Sequence, residues 1–317
     1  MANEQIKGYD DVVGFEYQTK AKARVLSKFP TLDRLTKGFE MGCVTVWTGV
    51  SNVGKTTLLT AVINSAIEQG HKVFTFNGEQ SREDFRNNLY IQSSEPDDLY
   101  YEQYLDTSIT DVFVKEQKRY ELDRKYGGRL FIYNNNAPRD IRSLLKEMED
   151  AYIVHGVDVF VLDNFMQIDM GTNDVLQEQT KVMEEIRTFA VRKQVHIHLV
   201  AHPRKMQEFH IRLNLFDISG SMNVANKAYN IIAIERVDMM DKEGNEYNNL
   251  AKALLDKHYD IDRTGTILEV LKTKGTACGI VPLMFDMQTK SFREQPEMTS
   301  ELWEQKKREK PKSKFKE

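Results

Sequence analysis

Short apolar runs alternate along the chain with longer segments of helical spacing. CVTVWT (43–48), KVFTF (72–76), RLFIY (129–133), VDVFVLD (157–163), VHIHLVA (195–201), NIIAIE (230–235), TILEVLK (266–272) and VPLMF (281–285) are rich in β-branched and aromatic residues and predict strands. Between the earlier runs the apolar period lengthens. Residues 55–69 stop at Gly70, 139–155 follow Pro138 and stop at Gly156, and 176–193 space Leu176, Val182, Met183, Ile186 and Phe189 as a helix does. Apolar strands alternating with helices predict an α/β fold with a mainly parallel twisted central sheet and helices on both faces. The last strands have little helix between them, which predicts antiparallel edge strands. Residues 1–23 read as an N-terminal arm or linker and 24–295 as one domain. Residues 296–317, ending KKREKPKSKFKE, read as a basic tail without an apolar period.

Composition narrows the class. A hydrophobic fraction of 40% and a charged fraction of 29% are those of a water-facing globular protein. No apolar run approaches the ~20 residues that span a bilayer. The first residues, MANEQIKGYDDVVGFEYQ, carry acids and no apolar core, which argues against a secretory signal or transit peptide. Cys43 and Cys278 are too few for a disulfide scaffold and fit a reducing cytoplasmic setting. The formal net charge of −4 argues against a protein that coats nucleic acid over its whole surface. It leaves room for local lysines and arginines to hold a phosphate backbone. SSEPDDLYYEQYLD (93–106) is acidic and tyrosine-rich, and reads either as a surface helix or as a partner site.

The densest chemistry lies in TGVSNVGKTTLL (48–59), where Gly49, Gly54, Lys55 and Thr56 have P-loop spacing between a strand and a helix. Gly49, Asn52 and Gly54 let the backbone curl. The N–H groups of Lys55, Thr56 and Thr57 then point inward at the positive end of a helix, a cradle for the phosphates of ATP. Lys55 reaches the β- and γ-phosphates and Thr56 ligates Mg²⁺. Asp163 ends an apolar strand, where the C-terminal edge of a parallel sheet faces a nucleotide, and is the second metal ligand. Glu79, in FTFNGEQS (74–81), follows another strand toward the same edge and is the carboxylate expected to polarise water. Its competing reading is a helix N-cap, a position Ser81 fits better.

These elements in this order resemble the RecA-like P-loop ATPase domain of hexameric DnaB-type replicative helicases, especially the Twinkle and phage primase-helicase branch. FPTLDRLTKGFEMGCVTVWTGVSNVGKTTLL is similar to the family's leading segment and Walker A motif, and VLDNFMQIDMG to its Walker B strand. LVAHPRK is similar to its sensor strand and DISGSMNVANKAYNIIAIER (217–236) to its DNA loop. The resemblance makes His202 a γ-phosphate sensor, and PRKMQEFHIR (203–212) a loop that brings Arg204 and Lys205 to DNA. It makes Ser219, Gly220, Ser221, Met222 and Asn223 a channel loop on the sugar-phosphate backbone, with MGTNDVLQEQ as a second. Ser219 stands where an arginine is common, and Lys227 is the nearby cation available to offset it. An ordinary turn before a strand is the plainer reading of SGSMN. Lys272 and Lys274, in KTKGTACG (272–279), stand where the family has a lysine and an arginine finger acting on the neighbouring subunit's nucleotide. His196, His198 and His202 are close enough in sequence to raise a zinc site. No cysteine or further histidine completes a set, so His196 and His198 read as strand residues packed under a helix.

The resemblance therefore implies an ATP- and Mg²⁺-dependent helicase, a homo-hexameric ring on single-stranded DNA, phage-encoded and cytoplasmic, with any primase on a separate chain. Two other functions fit the same residues. One is a RecA-like accessory or recombination ATPase that binds DNA without unwinding it. The other is a nucleotide-binding structural subunit, which the intact P-loop and Glu79 argue against.

Overall fold

The computed structural model describes residues 23–103, 110–133, 137–169, 175–203, 213–218, 222–237, 254, 259 and 264–302. The chain opens with β1 (Arg24–Val25), α1 (Pro30–Thr36) and β2 (Phe39–Glu40), then enters the main sheet at β3 (Val44–Thr48). There follow α2 (Lys55–Glu68), β4 (Val73–Asn77), α3 (Arg82–Gln92), β5 (Leu99–Gln103), β6 (Thr110–Val114) and α4 (Glu116–Tyr126). Next come β7 (Leu130–Ile132), α5 (Ile141–Asp150), β8 (Val159–Asp163), α6 (Val175–Lys193) and β9 (His196–Ala201). The last are α7 (Met222–Lys227), β10 (Asn230–Arg236), β11 (Thr266–Lys272), β12 (Gly279–Asp286) and β13 (Ser291–Glu294).

Among the described residues the main sheet has nine strands, in the order β13-β12-β11-β10-β3-β9-β8-β4-β7. From β7 to β10 the pairing is parallel. From β10 to β13 it is antiparallel, as the scarcity of helix between the last strands predicts. Successive residues of each parallel strand feed opposite cores. Val159 and Val161 pack with Leu58, Val62 and Phe85 of α2 and α3, whereas Phe160 and Leu162 pack with Leu144, Met183 and Ile186 of α5 and α6. Burial on both faces explains why these strands read as continuous apolar runs.

Helix starts follow the caps written in the sequence. Ser81 accepts the N–H of Asp84 to open α3, and Asp140 accepts those of Arg142 and Ser143 to open α5. A π-helical turn (Ala151–His155) carries α5 on to Gly156. The acidic, tyrosine-rich stretch is not a helix. It begins a β-ribbon of β5 and β6, in which Tyr100 stacks on its cross-strand partner Phe113. Aromatic and β-branched residues on both strands favour that pairing over a helical turn.

His196 and His198 are fully buried strand residues, but their cover is Phe39 of β2 and not a helix. His196 Nδ1 lies 2.8 Å from the Glu40 carbonyl and Nε2 lies 3.1 Å from Thr45 Oγ1. Burial holds its pKa down to about 4. The row continues sideways across the sheet. Asn230 Nδ2 donates to Thr45 Oγ1, Thr273 Oγ1 donates to Asn230 Oδ1, and the Gly275 N–H donates to Thr273 Oγ1. Each side chain gives and accepts once, so a polar row inside the fold satisfies itself.

The antiparallel strands return the chain to the sheet's beginning. Phe292 of β13 is buried against the first turn of α2. Phe292→Ala is expected to lower unfolding free energy by about 3 kcal/mol in urea titrations, because a buried ring leaves a cavity that the rigid sheet cannot close.

Candidate nucleotide site

β3 ends at Thr48, and the chain turns over through residues 49–54 before α2 begins at Lys55. Gly54 sits at φ 93° and Asn52 at φ 63°, both left-handed. A Cβ at Gly49 would stand 2.6 Å from the Ile234 carbonyl oxygen, and one at Gly54 would stand 2.9 Å from the Phe292 ring. Glycine is thus demanded at both P-loop positions. The first-turn N–H groups, those of Lys55, Thr56 and Thr57 included, have no carbonyl within the helix to bond. Lys55 is buried, and its Nζ donates to the carbonyls of Gly49 (2.9 Å) and Val50 (2.8 Å). Burial lowers its pKa, against the opposing pull of Asp163 and Glu79.

Thr56 Oγ1 donates to Asp163 Oδ2 at 2.6 Å. Asp163 is buried at the end of β8, and burial pushes its pKa up to about 6 despite that hydrogen bond. Because β4 pairs with β8 in register, Asn77 lies opposite Asp163. The Gly78 N–H then donates to the Asp163 carbonyl at 2.7 Å. Asn77 Oδ1 accepts the N–H groups of Glu79 and Gln80, both at 3.1 Å, and this turn carries Glu79 inward.

β9 lies between β3 and β8, pairing Ala201 with Thr48 and Leu199 with Leu162. Its next residue, His202, therefore emerges between the P-loop and the end of β8. His202 Nε2 is 3.6 Å from Glu79 Oε1 and 3.0 Å from Asn164 Nδ2. Asn164 Nδ2 also donates to Glu79 Oε1. Burial, with Lys55 adding to it, holds the His202 pKa below its usual value, so the ring is neutral at pH 7. The Asp163–Asn164 peptide is cis.

Lys55, Thr56, Glu79, Asp163 and His202 thus come from separate segments to one sheet edge. Two neighbours went unread in the sequence, Asn77 and Asn164. Each stands beside the last apolar residues of a strand, in FTFNG and VLDNF, a position where a short polar side chain can bond an adjoining turn.

Other expected residues lie elsewhere. Arg204, Lys205, Ser219, Gly220 and Ser221 fall outside the described residues. Met222 and Asn223 begin α7, and their side chains are not described. Lys227 is bonded to Glu184 of α6, which commits its charge there and away from SGSMN. Lys272 and Lys274 sit at the opposite edge of the sheet. Lys272 pairs with Ile231, itself level with Val46, below the end of β3. Its Nζ donates to the carbonyls of Ala225 (2.7 Å) and Asn226 (2.9 Å), finishing the last turn of α7. Lys274 Nζ lies 5.6 Å from the centre of the Tyr229 ring.

Residues 15–208, more than half the chain, match the family model described as an AAA domain. The chain belongs to the AAA domain family. A Twinkle homolog protein, chloroplastic/mitochondrial, from Arabidopsis thaliana is 24% identical over 242 residues, 72% of this chain. The chain spans about a third of that relative's length. Two solved structures share the fold at 14% identity and cover 91% of the chain. One is a DnaB-like replicative helicase studied with its interactions with primase (TM-score 0.69, 68% of that chain). The other is an ATPase domain solved by itself (TM-score 0.67, 99% of that chain). The fold is thus the RecA-like one of DnaB-type helicase ATPase domains.

The oxygen donors suit the metal that an AAA ATPase domain uses. A threonine hydroxyl and a carboxylate already in contact at a helix N-terminus are hard ligands of the kind Mg²⁺ prefers. Asp163 also links this site to stability. Its raised pKa means that the folded chain holds the proton more tightly than the unfolded chain between about pH 4 and 6. That contribution is complete in acid and is lost as pH rises through about 6. Asp163→Asn is expected to raise nucleotide-free stability at pH 7 by ~1–3 kcal/mol, a gain that shrinks toward pH 4. Urea titrations at the two pH values measure it. The same change should abolish Mg²⁺-dependent strengthening of nucleotide binding.

Proposed function

We propose that residues 24–295 form the ATPase domain of a DnaB-like replicative helicase, which hydrolyses ATP at subunit interfaces and moves along single-stranded DNA. The observation that carries this reading is the pair of edges. The P-loop, Thr56–Asp163, Glu79 and His202 gather at the C-terminal ends of the parallel strands, whereas Lys272 and Lys274 leave at the N-terminal ends.

The division of labour follows from placement. Lys55 exchanges the Gly49 and Val50 carbonyls for the β- and γ-phosphates, and the N–H groups of the first turn of α2 hold the remaining phosphate oxygens. Thr56 and Asp163 hold Mg²⁺, which supplies charge neutralisation across the β- and γ-phosphates. Glu79 accepts a hydrogen bond from the attacking water, aligning it with the γ-phosphorus. His202, a neutral ring, donates one N–H to the γ-phosphate. Its strand leads straight into 203–212, so loss of that phosphate changes the pose of a basic loop proposed to touch DNA.

A strand of five residues spans roughly 16 Å, so Lys274 is out of reach of its own chain's P-loop. A copy that presents a site on one edge and a cation on the other fits head-to-tail contacts, which close into a ring, proposed here as a hexamer. Lys274 is the amine proposed to reach the neighbour's γ-phosphate, with Lys272 steadying α7 beside it. The basic tail, an outside primase and a cytoplasmic setting belong to the same proposal. No helix among the described residues is long and apolar enough to cross a membrane.

The lysine in place of an arginine finger favours a second reading, an accessory ATPase that binds DNA without unwinding it. Forked-DNA unwinding with ATP and Mg²⁺, on a preparation whose oligomer mass has been measured, separates the two. A confirmed ring that hydrolyses ATP but leaves the fork paired would select the accessory role. Glu79→Gln is expected to cut DNA-stimulated ATP hydrolysis about a hundred-fold or more while nucleotide binding stays within a few-fold. Lys274→Ala should slow hydrolysis about ten-fold or more in assembled oligomers, and equal turnover there would remove the trans assignment.

A further inference from the structure

Asn164 is almost wholly buried, and all three of its amide bonding directions are taken. Its Oδ1 accepts the N–H of Met166 at 2.9 Å, capping the short 3-10 turn Phe165–Gln167. That bond fixes which way the amide faces, because only the oxygen can accept a backbone N–H. The Nδ2 group must therefore point the other way, where its two hydrogens meet Glu79 Oε1 and His202 Nε2. His202 Nε2 can accept there only if the ring carries its proton on Nδ1.

We propose that Asn164 is a positioning residue for the hydrolysis reaction: its amide locks the tautomer of His202 and the aim of Glu79 together, through one planar group. The inference rests on the ATPase reading for its kinetic part only. Glu79 is otherwise held by the turn built on Asn77 and has a side chain about half exposed, so the Asn164 bond removes much of its rotational freedom. His202 has the same need. A neutral imidazole offers one N–H, and the amide of Asn164 decides that this N–H is the one on Nδ1. The carboxylate and the ring are only 3.6 Å apart, too close for a water to separate them, so their relative pose is set through Asn164 or through direct contact.

Asn164→Asp tests this without removing the cap. A carboxylate still accepts the Met166 N–H, while both donors to Glu79 and His202 vanish. In nucleotide-free protein labelled with ¹⁵N-histidine, the wild-type His202 ring should show an unprotonated Nε2, and Asn164→Asp should move the proton to Nε2 or mix the tautomers. Turnover of ATP should fall at least ten-fold with KM within about three-fold, at a melting temperature close to wild type. Asn164→Ser, which keeps the cap with one hydroxyl donor, should recover part of the turnover. An unchanged tautomer together with unchanged turnover in Asn164→Asp would overturn the proposal. So would a turnover loss matched by unfolding in Asn164→Asp and Asn164→Ser alike. A wild-type chain that hydrolyses no ATP would instead defeat the ATPase reading and leave the tautomer result standing.

Discussion

The placement of β9 between β3 and β8 is the constraint on which the site depends. Parallel strands in register end side by side, so three apolar segments far apart in sequence deliver their following residues to one spot. β3 brings the P-loop, β8 brings Asp163 and Asn164, and β9 brings His202. The pairing of β4 with β8 adds Glu79 from the flank. No long-range side-chain contact has to create this convergence. Backbone ladders do so, and the short polar bonds among Thr56, Asp163, Glu79, Asn164 and His202 only refine it.

Much of this was legible in the chain because the dominant forces act locally or periodically. Eight apolar runs mark the strands, since burial on both faces demands continuous hydrophobicity. Ser81 and Gly156 mark helix limits, since caps and left-handed turns have their own residue preferences. Gly49, Gly54, Lys55, Thr56, Asp163, Glu79 and His202 were recognisable because phosphate chemistry restricts both residue type and position. What the sequence concealed depends on tertiary register. The ribbon of β5 and β6 arises from cross-strand pairs such as Tyr100 with Phe113, which no local period announces. The brief strand β13 carries too few residues to show an alternation. Asn164 looks like an ordinary strand-end residue until β9 sets an imidazole beside it. Lys227 reads as a spare cation until α6 brings Glu184 to it.

The far edge of the sheet is built with equal care. The row from Gly275 through Thr273, Asn230 and Thr45 to His196 joins the loop after β11 to β10, β3 and β9 near the starts of those three strands. Each hydroxyl and amide there has a fixed direction, so the loop carrying Lys274 is anchored to the same strands that bear the P-loop and His202 at their other ends. A charged side chain presented to another molecule gains from such an anchor, because less motional freedom remains to be lost on contact.

Phe292 gives the fold an unusual order of completion. The P-loop and the helix behind it are made early in synthesis, yet the ring that seats Gly54 arrives only with β13, after nearly all of the described chain has been translated. A partly synthesised polypeptide would own every phosphate-binding group and still lack the floor beneath them. Ribosome-bound intermediates are thereby kept from closing prematurely on cellular ATP.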